Sequence, residues 1–251
     1  MFHLNKVALI ILALNLKSSA LLERYSKSNR KPYVKMSDSD KFMSRAAIAG
    51  GGILAAIFIG GPMFNRFETA SDIPGNYFKE QKTVTGKVVK VSDGDTFRVR
   101  HTPNMFSSTD YKGKLTEHTI AVRIAAVDTP ETAKFGNEGQ VFGKASTEFT
   151  KSKVLDQKVK VKLYSKDQYG RVIGQVTYKD KMFSKDLSEE LLKKGLAVVY
   201  RQKGAQYGNE GLQKWEKLES IAKKQRVGIW SKDKVELPSD YKKKVKANTI
   251  H

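Results

Sequence analysis

Val122-Arg123-Ile124-Ala125-Ala126-Val127-Asp128-Thr129-Pro130-Glu131 is an apolar strand that carries one arginine and runs into an acidic turn. An arginine buried without an anion is costly, so Arg123 needs an anionic partner. Asp128, Thr129 and Glu131 follow within four residues. Two carboxylates and a backbone carbonyl at a strand end make an oxygen-rich corner suited to a hard divalent cation.

Working outward, valine and threonine dominate 83–91, a predicted strand in which Gly86 marks a bulge or sharp bend. Ser92-Asp93-Gly94 is a turn. Residues 96–101 alternate, with Phe97 and Val99 on one face and Arg98 and Arg100 on the other. Residues 102–117 are rich in turn formers and read as a long exposed loop. The strand with Arg123 is predicted over 118–127, followed by a loop to 137. A helix over 139–155 follows, with Phe142, Ala145 and Phe149 at helical spacing. Strict alternation marks a strand at 158–163, and Asp167-Gln168-Tyr169-Gly170 turns it into another at 171–178. Ser184 is the expected cap of a helix ending at Gly195. A third helix, 212–226, carries Trp215, Leu218 and Ala222 on one stripe, and Trp230 is expected to cover the core. Residues 233–251 read as a disordered basic tail. Five strands interrupted by a helix after the third predict an α+β fold, a five-stranded Greek-key barrel of the OB type with three helices. Its domain is expected to span 82–232.

Composition narrows the chemistry. The chain has no cysteine and four histidines, His3, His101, His118 and His251. Disulfides, thiolate nucleophiles, Ser-His-Asp triads and multi-histidine zinc sites are thereby excluded. The net charge is +20, with most of the excess from Gln81 onward. Such an excess fits a polyanion, either nucleic acid or an anionic membrane surface.

The first 64 residues look unlike the rest. Lys6, an apolar run and Lys17-Ser18-Ser19-Ala20 resemble a signal peptide, whereas 21–35 is basic and serine-containing, as in organelle transit segments. A bipartite leader over 1–35 reconciles the two; translation from Met36 would delete both. Residues 46–64 carry no charge and are long enough for one transmembrane helix. Residues 65–81 read as a linker. A single-pass membrane protein is expected, mitochondrial, with the secretory pathway or another organelle as the alternative.

Ser92-Asp93-Gly94-Asp95-Thr96, then Val122-Arg123 through Asp128-Thr129-Pro130-Glu131, then Tyr169-Gly170-Arg171 occur in one order, followed by Gly195-Leu196-Ala197 and Gly228-Ile229-Trp230. Together they resemble the staphylococcal nuclease family over about 82–232. The membrane segment and the long 102–117 insertion resemble the family's membrane-anchored mitochondrial endonucleases. The resemblance implies that Asp95 and Asp128 bind Ca²⁺ with the Thr129 carbonyl nearby, and that the 5′ P–O bond breaks to leave a 3′-phosphate. The residues alone are compatible with Ca²⁺ or Mg²⁺. Phosphodiester hydrolysis needs a positioned water and charge stabilisation. Glu131 is the candidate base, and Arg123 and Arg171 the candidate phosphate clamp, roles the resemblance also assigns. Asp93 is either an acid just outside the ion's direct ligands or a turn residue. Tyr169 and Tyr200 could stack a base or flank the phosphate, or simply pack. Lys158, Lys160 and Lys162 read as a solvated face rather than a backbone track.

The expected activity is therefore a calcium-dependent endonuclease acting on DNA and RNA as a membrane-tethered monomer. A non-catalytic OB module that binds nucleic acid or protein, and a scaffold on an anionic membrane, are the alternatives.

Overall fold

In a computed structural model the chain is described over residues 65–104, 107–133 and 138–249. Eight strands occur among them: β1 (Thr83–Val91), β2 (Thr96–His101), β3 (Ile120–Ile124), β4 (Val127–Asp128), β5 (Lys158–Lys166), β6 (Val172–Asp180), β7 (Phe183–Asp186) and β8 (Val198–Val199). The sheet runs β3-β2-β1-β5-β6-β7, and β3 also pairs with β6. That last pairing is parallel, Val122 opposite Val172 and Ile124 opposite Gly174, and it closes β1, β2, β3, β5 and β6 into the expected OB-type barrel. Alternation does the sorting: Val159, Val161 and Leu163 of β5 are buried, while Lys158 and Lys160 face solvent.

Five α-helices occur among the described residues: α1 (Gly75–Lys79), α2 (Gly143–Val154), α3 (Leu187–Lys193), α4 (Gly211–Lys224) and α5 (Pro238–Thr249). The three expected helices are α2, α3 and α4. Helix α4 buries Trp215 and Ala222 with Leu218 beside them, as its stripe predicts. Trp230 is only half-buried, under the Lys223 ammonium, and Ile229 is its buried neighbour. Helix α2 buries Ser146, Thr147, Thr150 and Val154 rather than the Phe142–Ala145–Phe149 face. A scan for apolar residues misses this face, because hydroxyls that find carbonyl partners, Leu196 for Ser146, Gly143 for Thr147 and Gly94 for Thr150, can replace methyls there.

Four further expectations differ from the structure. Ser184 does not cap α3: β7 continues through it, and the Asp186 carboxylate accepts from Ser188 N at 2.8 Å and Glu189 N at 3.2 Å. The basic tail is not disordered, since α5 occupies most of it. Gly86 is not the bulge, which falls between Val88 and Lys90. Instead, a Cβ at Gly86 would lie 2.2 Å from Val99 Cγ1, so a close crossing with β2 demands glycine. Finally, the stretch expected as a linker packs on the barrel, with Phe67, Ala70 and Ile73 in the core.

That last segment is pinned by His101. Phe67 N donates to His101 Nδ1 at 2.9 Å, and the two rings stack at 4.8 Å. Residues 107–118 close over the same place. Arg66 donates to the Ser108 carbonyl at 2.6 Å, Arg100 donates to the His118 carbonyl at 2.8 Å, and Glu68 pairs with Arg100 and His118. No helix of the described residues is long and apolar enough to cross a membrane. The leader at 1–35 and the apolar stretch 46–64 lie outside the described residues.

Burial, then repulsion by Arg66 and Arg100, lowers the His101 pKa to about 4 against a partial opposing pull from Glu68. The unfolded chain takes up this proton below about pH 6.5, and the folded chain resists it until about pH 4. Stability tied to this group is full above that window and falls through it, by about 3 kcal/mol at the acid end. His101→Gln can accept the same Phe67 bond without titrating. Urea unfolding from pH 7 to 4 should therefore show a shallower loss of stability in the variant than in the wild type; parallel curves contradict the assignment.

Candidate active site

The chain reaches the site through a break in its central strand. In a continuous strand Arg123 and Asp128 would point to opposite faces, about 17 Å apart. The structure breaks that strand at Ala125–Ala126, where Ala126 takes φ 68°. Non-glycine residues seldom adopt this left-handed conformation, and here it is held from three sides. Ala125 N donates to the Gly174 carbonyl at 2.9 Å, the Ser188 hydroxyl donates to the Ala125 carbonyl at 2.9 Å, and Tyr200 N donates to the Ala126 carbonyl at 2.9 Å. The turn folds Asp128 back, so that Arg123 Nη2 lies 2.7 Å from Asp128 Oδ1. Pairing of β2 with β3 sets Thr96 opposite Arg123, which brings the adjacent Asp95 within 3.2 Å of the same nitrogen.

Arg123 therefore has two anionic partners, both nearly inaccessible: the side chains of Asp95 and Asp128 are 6% and 3% exposed. Burial pushes Asp95 up, but Arg123 and Lys242 overcome it and hold its pKa below the ordinary value. For Asp128 burial and the neighbouring Asp95 charge win, and its pKa is raised. Arg123 loses by burial and gains more from the two aspartates, so its protonated form is strengthened. On its other side the guanidinium lies over the Tyr200 ring at 4.9 Å. Tyr200 is held there by Tyr207, whose hydroxyl donates to the Tyr200 carbonyl at 2.7 Å.

Glu131 and Arg171 enter from separate elements. Gln140 accepts from Glu131 N at 3.1 Å, and its own N donates to the Glu131 carbonyl at 2.8 Å. Gly143 at the start of α2 backs onto the same peptide: a Cβ there would sit 2.2 Å from the Glu131 carbonyl oxygen. Arg171, at the end of the β5–β6 turn, is oriented by Asp167, with Nε to Oδ2 at 2.6 Å and N to Oδ1 at 2.9 Å. Burial opposes ionisation of Asp167, but the bonds from Arg171 prevail and lower its pKa. Helix α2 secures the opposite wall, since Thr150 donates to the Gly94 carbonyl at 2.7 Å beside Asp95.

These groups converge on an open cleft of about 790 Å³ lined by Asp95, Arg123, Glu131, Arg171, Tyr200 and Lys242, with Asp93 and Tyr169 among its other walls. Asp128 borders the adjoining groove beside α5. Thr129 is buried in the same turn, and its side chain would meet any Cβ added at Gly94. Tyr169 stands at the rim, 75% exposed, under the Arg171 guanidinium. Lys158, Lys160 and Lys162 do not line this cleft.

Among the described residues no three histidine, cysteine or acidic side chains form a metal cage. Asp95 and Asp128 nevertheless fit a hard cation. They are buried, repel one another and offer only oxygen, a donor set for an ion that keeps part of its water shell. Asp167 and Lys242 are the site residues that sequence reasoning missed. Asp167 looks like an ordinary turn acid. Lys242 lies in a lysine run with no motif, and no signal in the sequence singles it out.

The staphylococcal nuclease homologue family model matches residues 121–232. The chain is 49% identical over 180 residues to "Endonuclease Htp3" of Saprolegnia parasitica, covering 71% of this chain and 85% of that protein. It is 34% identical over 221 residues to "Probable endonuclease LCL3" of Yarrowia lipolytica, covering 83% and 96%. A protein of the same name from Schizophyllum commune is 32% identical, with coverage of 81% and 76%.

Gly143→Ala should force the Glu131 peptide away from α2 and cost about 1–3 kcal/mol in chemical denaturation. Unchanged stability contradicts the close contact.

Proposed function

Because the chain belongs to the staphylococcal nuclease family, and is a hydrolase of phosphodiester bonds, we propose that it is a calcium-dependent endonuclease cleaving DNA and RNA with little sequence preference. One observation carries this reading: Arg123, Arg171 and Glu131, from three separate segments, line one cleft beside the buried Asp95. A non-catalytic module has no use for this whole set in one place.

In this reading Arg123 and Arg171 bind the scissile phosphate from two sides of the cleft. Both are pre-oriented by carboxylates, so little ordering remains to be done when substrate arrives. Glu131 takes a proton from water, the resulting hydroxide attacks phosphorus, and the bond to the 5′ oxygen breaks; that oxygen takes a proton from solvent and leaves as a 5′-hydroxyl, with a 3′-phosphate on the other fragment. Asp95, Asp128 and the Thr129 carbonyl hold the calcium ion, which when bound supplies positive charge against the charge developing on the phosphoryl oxygens. Tyr200 keeps Arg123 aimed, and the exposed Tyr169 offers a face on which a base can stack.

The uncharged stretch 46–64 supports tethering of the enzyme to a membrane, and the basic, serine-containing 21–35 supports a mitochondrial one. One chain supplies Asp95, Asp128, Arg123, Glu131 and Arg171 to the site, so the reading needs no second copy.

Full-length protein should degrade single-stranded DNA with Ca²⁺ and lose activity with chelator. Glu131→Gln and Arg171→Ala, with folding verified by circular dichroism, should each lower kcat by about 10²–10⁴-fold. Near-normal turnover by Glu131→Gln contradicts its role as base. Asp167→Asn should lower kcat by about 10- to 100-fold by releasing Arg171; an unchanged rate contradicts that positioning role.

A further inference from the structure

Helix α5 lies beyond the segment matched by the family model, which ends at residue 232, yet it delivers a charge into the site. Lys242 Nζ is 2.9 Å from Asp128 Oδ1 and 3.0 Å from Glu131 Oε1. It thus engages at once a carboxylate proposed for the ion and the carboxylate proposed for the water. Arg123 holds the same Asp128 oxygen from the other side. Three carboxylates, Asp95, Asp128 and Glu131, therefore share two cationic side chains and keep one net negative charge among them.

The attachment of α5 is mostly polar. Gln140 donates to the Glu236 carbonyl at 2.9 Å, and the Tyr241 hydroxyl donates to the Glu138 carbonyl. Pro238 is buried at its start, whereas Lys243, Lys244 and Lys246 on the helix are exposed. A short helix held by one buried end and a few polar contacts opens at low cost. An ammonium and a divalent cation competing for one carboxylate oxygen also repel each other strongly in a buried setting.

We propose that Lys242 is the resident cation of the unloaded site and that α5 is a displaceable cap: divalent-ion binding at Asp128 expels the lysine, and docking of the helix opposes the ion. This rests on the metal-binding reading above. The coupling is reciprocal, so the ion loosens the helix by as much as the helix weakens the ion.

The test uses full-length protein, Ca²⁺ as titrant in calorimetry, and hydrogen exchange of the 238–249 amides. Lys242→Ala should bind Ca²⁺ about tenfold more tightly than wild type. Lys246→Ala removes the same formal charge one turn along and should change affinity much less. In the wild type, saturating Ca²⁺ should speed exchange in 238–249. Equal or weaker Ca²⁺ binding by Lys242→Ala overturns the proposal, as does an equal gain in Lys246→Ala or slower exchange in α5 with Ca²⁺. Asp128→Asn separates the two layers. If it abolishes Ca²⁺ binding while Lys242→Ala leaves affinity unchanged, the metal reading stands and the lysine's role falls. If wild type and Lys242→Ala both bind no Ca²⁺, both fall.

Discussion

Arg123 held between Asp95 and Asp128 is the interaction on which the site depends. Asp95 and Asp128 are buried, Arg123 is mostly so, and without the arginine the two aspartates would be left to repel one another. Breaking such a buried cluster by removing one partner typically costs about 3–5 kcal/mol. The cluster also decides backbone geometry. It exists only because β2 sets Asp95 next to Arg123, and because the left-handed Ala126 returns Asp128 to the arginine. The strain at Ala126 is held by bonds from β6, α3 and the segment after β8, so three distant parts of the chain converge on one turn.

Around this knot the fold supplies rigid walls rather than apolar bulk. Helix α2 meets the barrel through hydroxyls and a glycine. Thr150 grips the turn before Asp95, Ser146 donates to the Leu196 carbonyl at 2.7 Å, and Gly143 admits the Glu131 peptide. Small residues let backbones approach closely enough to fix catalytic groups from both ends of one helix. On the far side of β2, His101 ties the 65–73 segment to the barrel, and Arg100 gathers the insertion around Glu68. A stretch that looks like tether and loop in composition is thus continuous with the domain.

Much of this was legible in the sequence because it obeys simple periodicities. The alternation at 158–163, the parity of Ile120, Val122 and Ile124, and the Trp215 stripe each specify one buried face, and the barrel follows from their order. Arg123, Glu131, Arg171, Asp95 and Asp128 were legible as chemically demanding residues in a recognisable order. What stayed hidden depends on tertiary context. Nothing local marks Ala126 as left-handed, since alanine disfavours that conformation. Asp186 outcompetes Ser184 as a cap only because β7 pairs with β6 and carries Ser184 into the sheet. Phe67 and Ile73 are too sparse to signal burial, and α5 looks like any lysine-rich tail until the acidic site that it meets is known.

Mapping the ends of the reaction products tests the central claim most directly. Full-length protein is incubated with a labelled single-stranded oligonucleotide and Ca²⁺, and the new termini are identified by mass spectrometry. Two arginines on the phosphate, with Glu131 as base and the 5′ oxygen as leaving group, predict fragments ending in 3′-phosphate with matching 5′-hydroxyls, formed only when Ca²⁺ is present. Intact oligonucleotide, or fragments carrying 5′-phosphate, would contradict the account.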